Sequence, residues 1–397
     1  MPDLYLILAP LLLAPIVGLL RFIGCNQILG NQLAVLATTV EVLPTKASLG
    51  PGRQKMFNVL VNGGTPDPSS IQWSAALDPS LHKHNDGNYT APYPWRDTND
   101  TVTVNYAGDS STGPGSDTAT VKLDHATVSI APTSVPMLKA GAAVKFTASA
   151  SNVQPPGGSV KFTWEKAVAD TPNGPNATYT APSPYVLDSG PETVSFTIDA
   201  DPAPNGSSSA TVTLVGNAAI FQKKDIATKG KWITVYGNKG WALADSPNLV
   251  STTPPPPVTA FSFPINEYPY TINGDGRDLQ DPTKPGSFIA AVWFTPVGGD
   301  HFDIQLQFTD FQPHQFSVYC ATWDGFQRTQ FVAIYDGDNP GGPALDQQKL
   351  DDTVAPGFDT GVYLVWRVSG HVILRVTNDT ADNPTSRNAV ISGIFFD

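Results

Sequence analysis

Glutamate is nearly missing from this 397-residue chain: it occurs only at Glu41, Glu165, Glu192 and Glu267, so almost all of the 35 acidic residues are Asp. Helix surfaces are usually built from Glu, Lys, Arg and Ala, whereas Asp, Asn, Gly and Pro are turn residues. With 34 Gly, 37 Pro and 15% charged residues, the composition excludes a mainly helical protein and fits many short strands joined by turns. Clustered basic residues are missing too. The longest Lys/Arg run is Lys223-Lys224, and the net charge is −12. A phosphate backbone needs clustered positive charge, so nucleic acid is excluded as a partner. Two cysteines, Cys25 and Cys320, are too few for a disulfide framework. No G-x-S-x-G, H-E-x-x-H, P-loop or dinucleotide fingerprint occurs.

The N-terminus is rich in what the rest lacks. Leu4 to Leu20 is apolar apart from Pro10 and Pro15, and Gly24-Cys25 follows. An apolar run ending in a small residue and Cys resembles a bacterial lipoprotein signal, which implies cleavage and lipidation at Cys25. An uncleaved signal anchor is the alternative, since about 20 apolar residues span a bilayer. Either way residues 1–25 form an N-terminal hydrophobic helix that touches a membrane, residues 26–37 form a linker, and the body is extracellular or at the cell surface.

A repeat follows. Val40-Glu-Val-Leu-Pro44-Thr45 matches Val128-Ser-Ile-Ala-Pro132-Thr133, Trp73 matches Trp164, and Tyr89-Thr-Ala-Pro92 matches Tyr179-Thr-Ala-Pro182. Thr101-Val-Thr-Val104 matches Thr193-Val-Ser-Phe196, and Ala119-Thr-Val-Lys-Leu123 matches Ala210-Thr-Val-Thr-Leu214. Landmarks in one order at a near-constant offset mark an internal duplication. Alternation over short runs predicts antiparallel strands with one buried face, and about 90 residues around a central Trp suits an Ig-like sandwich. These motifs resemble the bacterial Ig-like repeats of surface and adhesion proteins. The resemblance covers residues 38–125 and 126–216 and implies a spacer or stalk.

Residues 217–397 hold most of the Trp and Phe and a series of apolar-alternating runs separated by Gly, Asp and Pro. Among them are Trp232-Ile-Thr-Val-Tyr236, Phe302-Asp-Ile-Gln-Leu-Gln-Phe308 and Val362-Tyr-Leu-Val-Trp366. Eight or more such strands predict a jelly-roll sandwich. The expected fold is therefore all-β: two Ig-like sandwiches in tandem, then a jelly roll. Trp232-Ile-Thr-Val-Tyr-Gly237, Tyr319-Cys-Ala-Thr-Trp-Asp324 and the closing Asn388 to Phe396 segment resemble a C-terminal module of bacterial secreted proteins and glycosidases. That resemblance implies a carbohydrate-binding jelly roll.

Aromatic faces stack on pyranose rings while Asp, Asn and Arg read hydroxyls. Trp323, Asp324 and Arg328 are the leading ligand-binding candidates, because Gly325 places them in a loop directly after a strand; Trp241 and Trp293 follow. Trp232 and Trp366, flanked by apolar neighbours, are expected in the core. Asp275, Asp278 and Asp281, with Asp336 and Asp338, offer oxygen ligands on tight turns for a structural Ca²⁺, although Asp-Gly is also simple turn chemistry. No other cofactor is implied. His82 and His84 are expected on one face of a strand without further metal ligands. Cys320 is expected as a buried apolar thiol. Glycan binding by a non-enzymatic surface protein is thus the leading expectation. A structural subunit of a filament or surface layer, self-assembling through strand edges, is the alternative. A glycoside hydrolase is a third; Glu267 alone excludes a Glu/Glu pair in the last module and leaves loop Asp pairs.

Overall fold

A computed structural model describes residues 37–251, 258–261, 266–272, 274–296 and 300–397. The apolar segment, the lipidation candidate Cys25 and nearly all of the linker lie outside the described residues. Within them the protein is almost wholly β: the one α-helix is a single turn, Leu81–His84.

The duplication is visible strand by strand. In the first unit a four-stranded sheet runs Lys46–Leu49, Gly115–Leu123, Asp100–Tyr106, Ile71–Ser74, and its first pair is parallel. In the second the same order is Ser134–Lys139, Ser207–Val215, Glu192–Ile198, Phe162–Glu165, again with a parallel first pair. The peptide bonds to Pro44 and Pro132 are both cis, where the chain passes from one sheet to the other. Trp73 lies opposite Val104 and Trp164 opposite Phe196 in the equivalent edge pairs. Period-two patterning explains the packing: Val102, Val104 and Tyr106 are buried on one face, while the intervening Thr103 and Asn105 turn away. Each unit closes over its own apolar core. These are tandem Ig-like sandwiches.

The units are docked through backbone contacts. Trp95 N–H donates to Ala200 O at 2.8 Å, and Gln154 N–H to Pro51 O at 2.9 Å. A Cβ at Gly50 would come within 1.7 Å of Asn152 O, so the approach requires glycine there. At the next junction Ser369 Oγ donates to Gly216 O at 2.8 Å, and Arg367 pairs with Asp188.

The last unit has eight principal strands: β1 (Gly240–Leu243), β2 (His301–Phe308), β3 (His314–Cys320), β4 (Thr329–Asp336), β5 (Ala344–Asp351), β6 (Val362–Ser369), β7 (His371–Asn378) and β8 (Gly393–Phe396). One sheet contains the order β1-β8-β3-β6 and the other β2-β7-β4-β5, all antiparallel. That is the jelly-roll order, with strands exchanged between two facing sheets. The largest core among the described residues lies between them and includes Trp366, Phe316, Cys320 and Phe396, each fully buried. A smaller three-stranded sheet, Glu267–Pro269, Ala291–Phe294 and Val390–Ile391, sits beside it.

Two local expectations are corrected. His82 and His84 lie on a helical turn, not a strand; Leu81 buries against the first core and the positive φ of Asn85 ends the turn. Trp232 to Tyr236 is likewise a turn: Tyr236 N–H donates to Trp232 O at 3.0 Å. Residues four apart share a face in both helical and extended chains, so Trp232 and Tyr236 are buried either way. Thr234 distinguishes the two: a strand would bury it on the face of Trp232 and Tyr236, whereas it is exposed and at φ 74°.

Candidate functional site

The jelly roll carries a concave site of about 330 Å³ between the small sheet and the loop joining β3 to β4. Tyr268, Tyr270, Val292 and Phe294 form its wall from adjacent strands, with Tyr268 directly opposite Val292 in the register. Asp324, Phe326 and Arg328 enter from the β3–β4 loop, which Gly325 turns at φ 71°. Arg387 and Asn388 close the site just before strand Val390–Ile391.

The polar base is tightly held. Arg328 is 2% exposed and donates from both terminal nitrogens to the two oxygens of Asp324, each at 2.6 Å. Its Nε donates to Asn388 Oδ1 at 2.9 Å. Tyr270 O–H donates to Asp324 Oδ2 at 2.7 Å, and Phe326 N–H to Oδ1 at 3.2 Å. A bidentate, charge-assisted pair of this geometry fixes both side chains. Desolvation works against the Asp324 charge, but the hydrogen bonds from Arg328 and Tyr270 and the charge of Arg328 hold its pKa down at about 2. Burial, and then the Asp324 carboxylate, keep the Tyr270 phenol protonated.

Around that base the surfaces are aromatic. Tyr268 is 54% and Phe326 41% exposed, so both offer ring area to a ligand. Tyr268 and Tyr270 meet edge to face with centroids 4.8 Å apart. The guanidinium of Arg387 stacks 4.2 Å above the Phe326 ring. Apolar walls with a few fixed polar groups are the usual make-up of small-molecule sites.

Of the residues singled out from the sequence, the structure brings Asp324 and Arg328 into this site. Trp323 stands behind it: half-buried, it packs on Tyr270 at 5.4 Å and donates through Nε1 to Asp278 Oδ1 at 2.8 Å. Trp293 is corrected to a core residue. Side chains alternate along Ala291–Phe294, so Val292 and Phe294 line the cavity while Trp293 is fully buried, its Nε1 3.0 Å from Glu267 Oε2. Trp241 lies elsewhere, on the outer face of the other sheet, 5.2 Å from Trp232.

The proposed Ca²⁺ ligands are not brought together. Asp278 is buried and accepts from Gly274 N and Trp323 Nε1. Asp275 accepts from Arg277, and Asp281 from Thr283 N and Oγ1. Asp336 and Asp338 both accept from Asn217, which ties the start of this unit to its far turn. Among the described residues no three His, Cys, Asp or Glu side chains converge as a metal site. The Asp-rich stretches serve as turn closures.

Tyr268, Tyr270, Phe294, Phe326, Arg387 and Asn388 escaped sequence reasoning. The one local signal was Tyr268-Pro-Tyr270, whose spacing puts both rings on one side of an extended chain.

No protein-family model matches the chain, and no curated protein matches it. Among solved structures it is similar to a three-Ig-domain fragment of titin, at 13% identity and a TM-score of 0.23, over 89% of this chain and 96% of that one. It is also similar to the fibronectin(III)-like modules of Clostridium thermocellum CbhA, at 16% identity and a TM-score of 0.16, over 45% of this chain and 95% of that one. A third is the N-terminal three domains of the highly immunogenic outer capsid protein of bacteriophage RB49, at 14% identity and a TM-score of 0.20, over 45% of this chain and 69% of that one.

Proposed function

We propose that this chain is an exported, non-enzymatic binding protein of a bacterial surface, in which two Ig-like sandwiches carry a jelly roll that binds glycan. The observation that supports the binding reading most is the cavity itself: exposed rings of Tyr268 and Phe326 above a rigid Arg328–Asp324–Tyr270 base. Pyranose rings present apolar C–H faces edged by hydroxyls, which suits such a combination. The hydrogen-bonded junctions between units favour a spacer that holds the jelly roll away from its anchor. Anchoring rests on the Leu4–Leu20 run and Cys25. Among the described residues one carboxylate, Asp324, lines the cavity, and both its oxygens are engaged by Arg328, whereas hydrolysis by a carboxylate pair needs two.

The test is a glycan-array screen of the full chain, with and without Ca²⁺, beside Tyr268→Ala. Binding that is lost in the variant supports a glycan site at this cavity. Silence across the array from a folded chain removes the reading and moves the function to surface assembly.

A further inference from the structure

The charge balance of the cavity narrows the ligand class. Among the described residues its lining holds two guanidinium groups, Arg328 and Arg387, and one carboxylate, Asp324. Asp324 is committed: both oxygens accept from Arg328, and Tyr270 O–H and Phe326 N–H complete its contacts. Arg328 is committed in return, with Nε on Asn388 and the rest of its fork on Asp324. Those two charges cancel. Arg387 is different. It is exposed at the rim, oriented by the Phe326 ring at 4.2 Å, and forms no ion pair with any described residue. Among the described residues the site therefore presents one positive charge without a carboxylate partner, on a chain whose net charge is −12. A stacked guanidinium keeps its N–H edge for a ligand, and that fork matches a carboxylate or sulfate bidentately.

We infer that the ligand is an acidic glycan, with its anionic group paired to Arg387 and a sugar face resting on Tyr268. This rests on the glycan reading above and adds the charge. Asp324 is positioned to exclude a competing role for Arg328: it retains that guanidinium in the base, so recognition of the anion falls to Arg387.

The test measures binding of the full chain to polygalacturonate, which carries carboxylates alone, to dextran sulfate, which carries sulfates alone, and to neutral dextran and xylan. Each is repeated with Arg387→Gln, Arg387→Lys and Tyr268→Ala. An acidic polymer should bind and the neutral ones should not, the carboxylate and sulfate arms showing which anion fits. Arg387→Gln should weaken that binding about tenfold or more, as expected for a lost charge-assisted pair. Arg387→Lys should restore part of it. Binding to dextran or xylan that is unaffected by Arg387→Gln but lost in Tyr268→Ala overturns the acidic assignment and leaves the glycan reading standing. Binding to an acidic polymer that is equal in wild type and Arg387→Gln overturns the assignment to this residue. No binding to any of the four polymers overturns this inference, and silence on the array as well removes the glycan reading with it.

Discussion

Asp324 and Arg328, four residues apart on the loop between β3 and β4, face each other through two hydrogen bonds of 2.6 Å. The pair joins the fold to the site. Arg328 is buried against Asn388, next to the strand that completes the small sheet, while Asp324 reaches out to Tyr270 on the opposite wall. A guanidinium buried without its carboxylate is costly, so the pair holds the cavity in shape as well as lining it.

Asp324→Ala should destabilise the jelly roll by about 3 kcal/mol, the lower end for breaking a buried pair because Asp324 keeps some solvent contact. Chemical denaturation followed by Trp fluorescence checks this. Loss below about 1 kcal/mol would mean that Arg328 finds another partner or water.

Tyr268→Ala should separate binding from stability. The side chain is more exposed than buried, so stability should change by about 0.5 kcal/mol or less. Glycan affinity should fall about tenfold through loss of a stacking face. Calorimetric titration beside a thermal melt reads both.

Trp293→Phe should do the reverse. Burial is complete and Nε1 meets Glu267, so the variant loses core volume and a hydrogen bond, about 1–3 kcal/mol in stability. Its glycan binding, measured below the melting transition, should stay within about twofold of wild type. A selective loss of binding at unchanged stability would return Trp293 to the ligand.

Asp352 gives a pH dependence. Burial, reinforced by the nearby Asp359 charge and opposed by backbone N–H donors, raises its pKa to about 6. A carboxyl whose folded pKa lies above its unfolded value near 3.8 binds more protons in the native state between those values. Its contribution to stability is therefore complete below about 3.8 and is lost as pH rises through about 6. Asp352→Asn should melt higher than wild type at pH 7, and the gap should close by about pH 4. Melting curves at the two pH values decide it; a variant that is less stable at pH 7 would show that the ionised carboxylate is needed.

Much of the scaffold was legible because it repeats. Trp73 and Trp164, Tyr89 and Tyr179, and Pro44 and Pro132 recur at equivalent places in the two Ig-like units. Alternation in Phe302–Phe308 and the continuous apolar run Val362–Trp366 likewise fell on jelly-roll strands. The site was only half legible. Asp324 and Arg328 were within reach because they share one loop, but Tyr268, Phe294 and Arg387 are brought to them by pairing between segments far apart in the chain. Trp293 misled because strand parity decides which of two adjacent aromatics faces the cavity, and Phe294 is the one that does. The acidic turns are ambiguous for another reason: an Asp that closes its own turn, as Asp281 does on Thr283, has the same sequence as one that binds Ca²⁺.

The most direct measurement is titration of the full chain and of Arg387→Gln with polygalacturonate, at low and at high salt. Saturable binding that weakens with salt and falls about tenfold in the variant is the expected result. Binding that is indifferent both to salt and to Arg387, or none to any glycan from a folded chain, would contradict it.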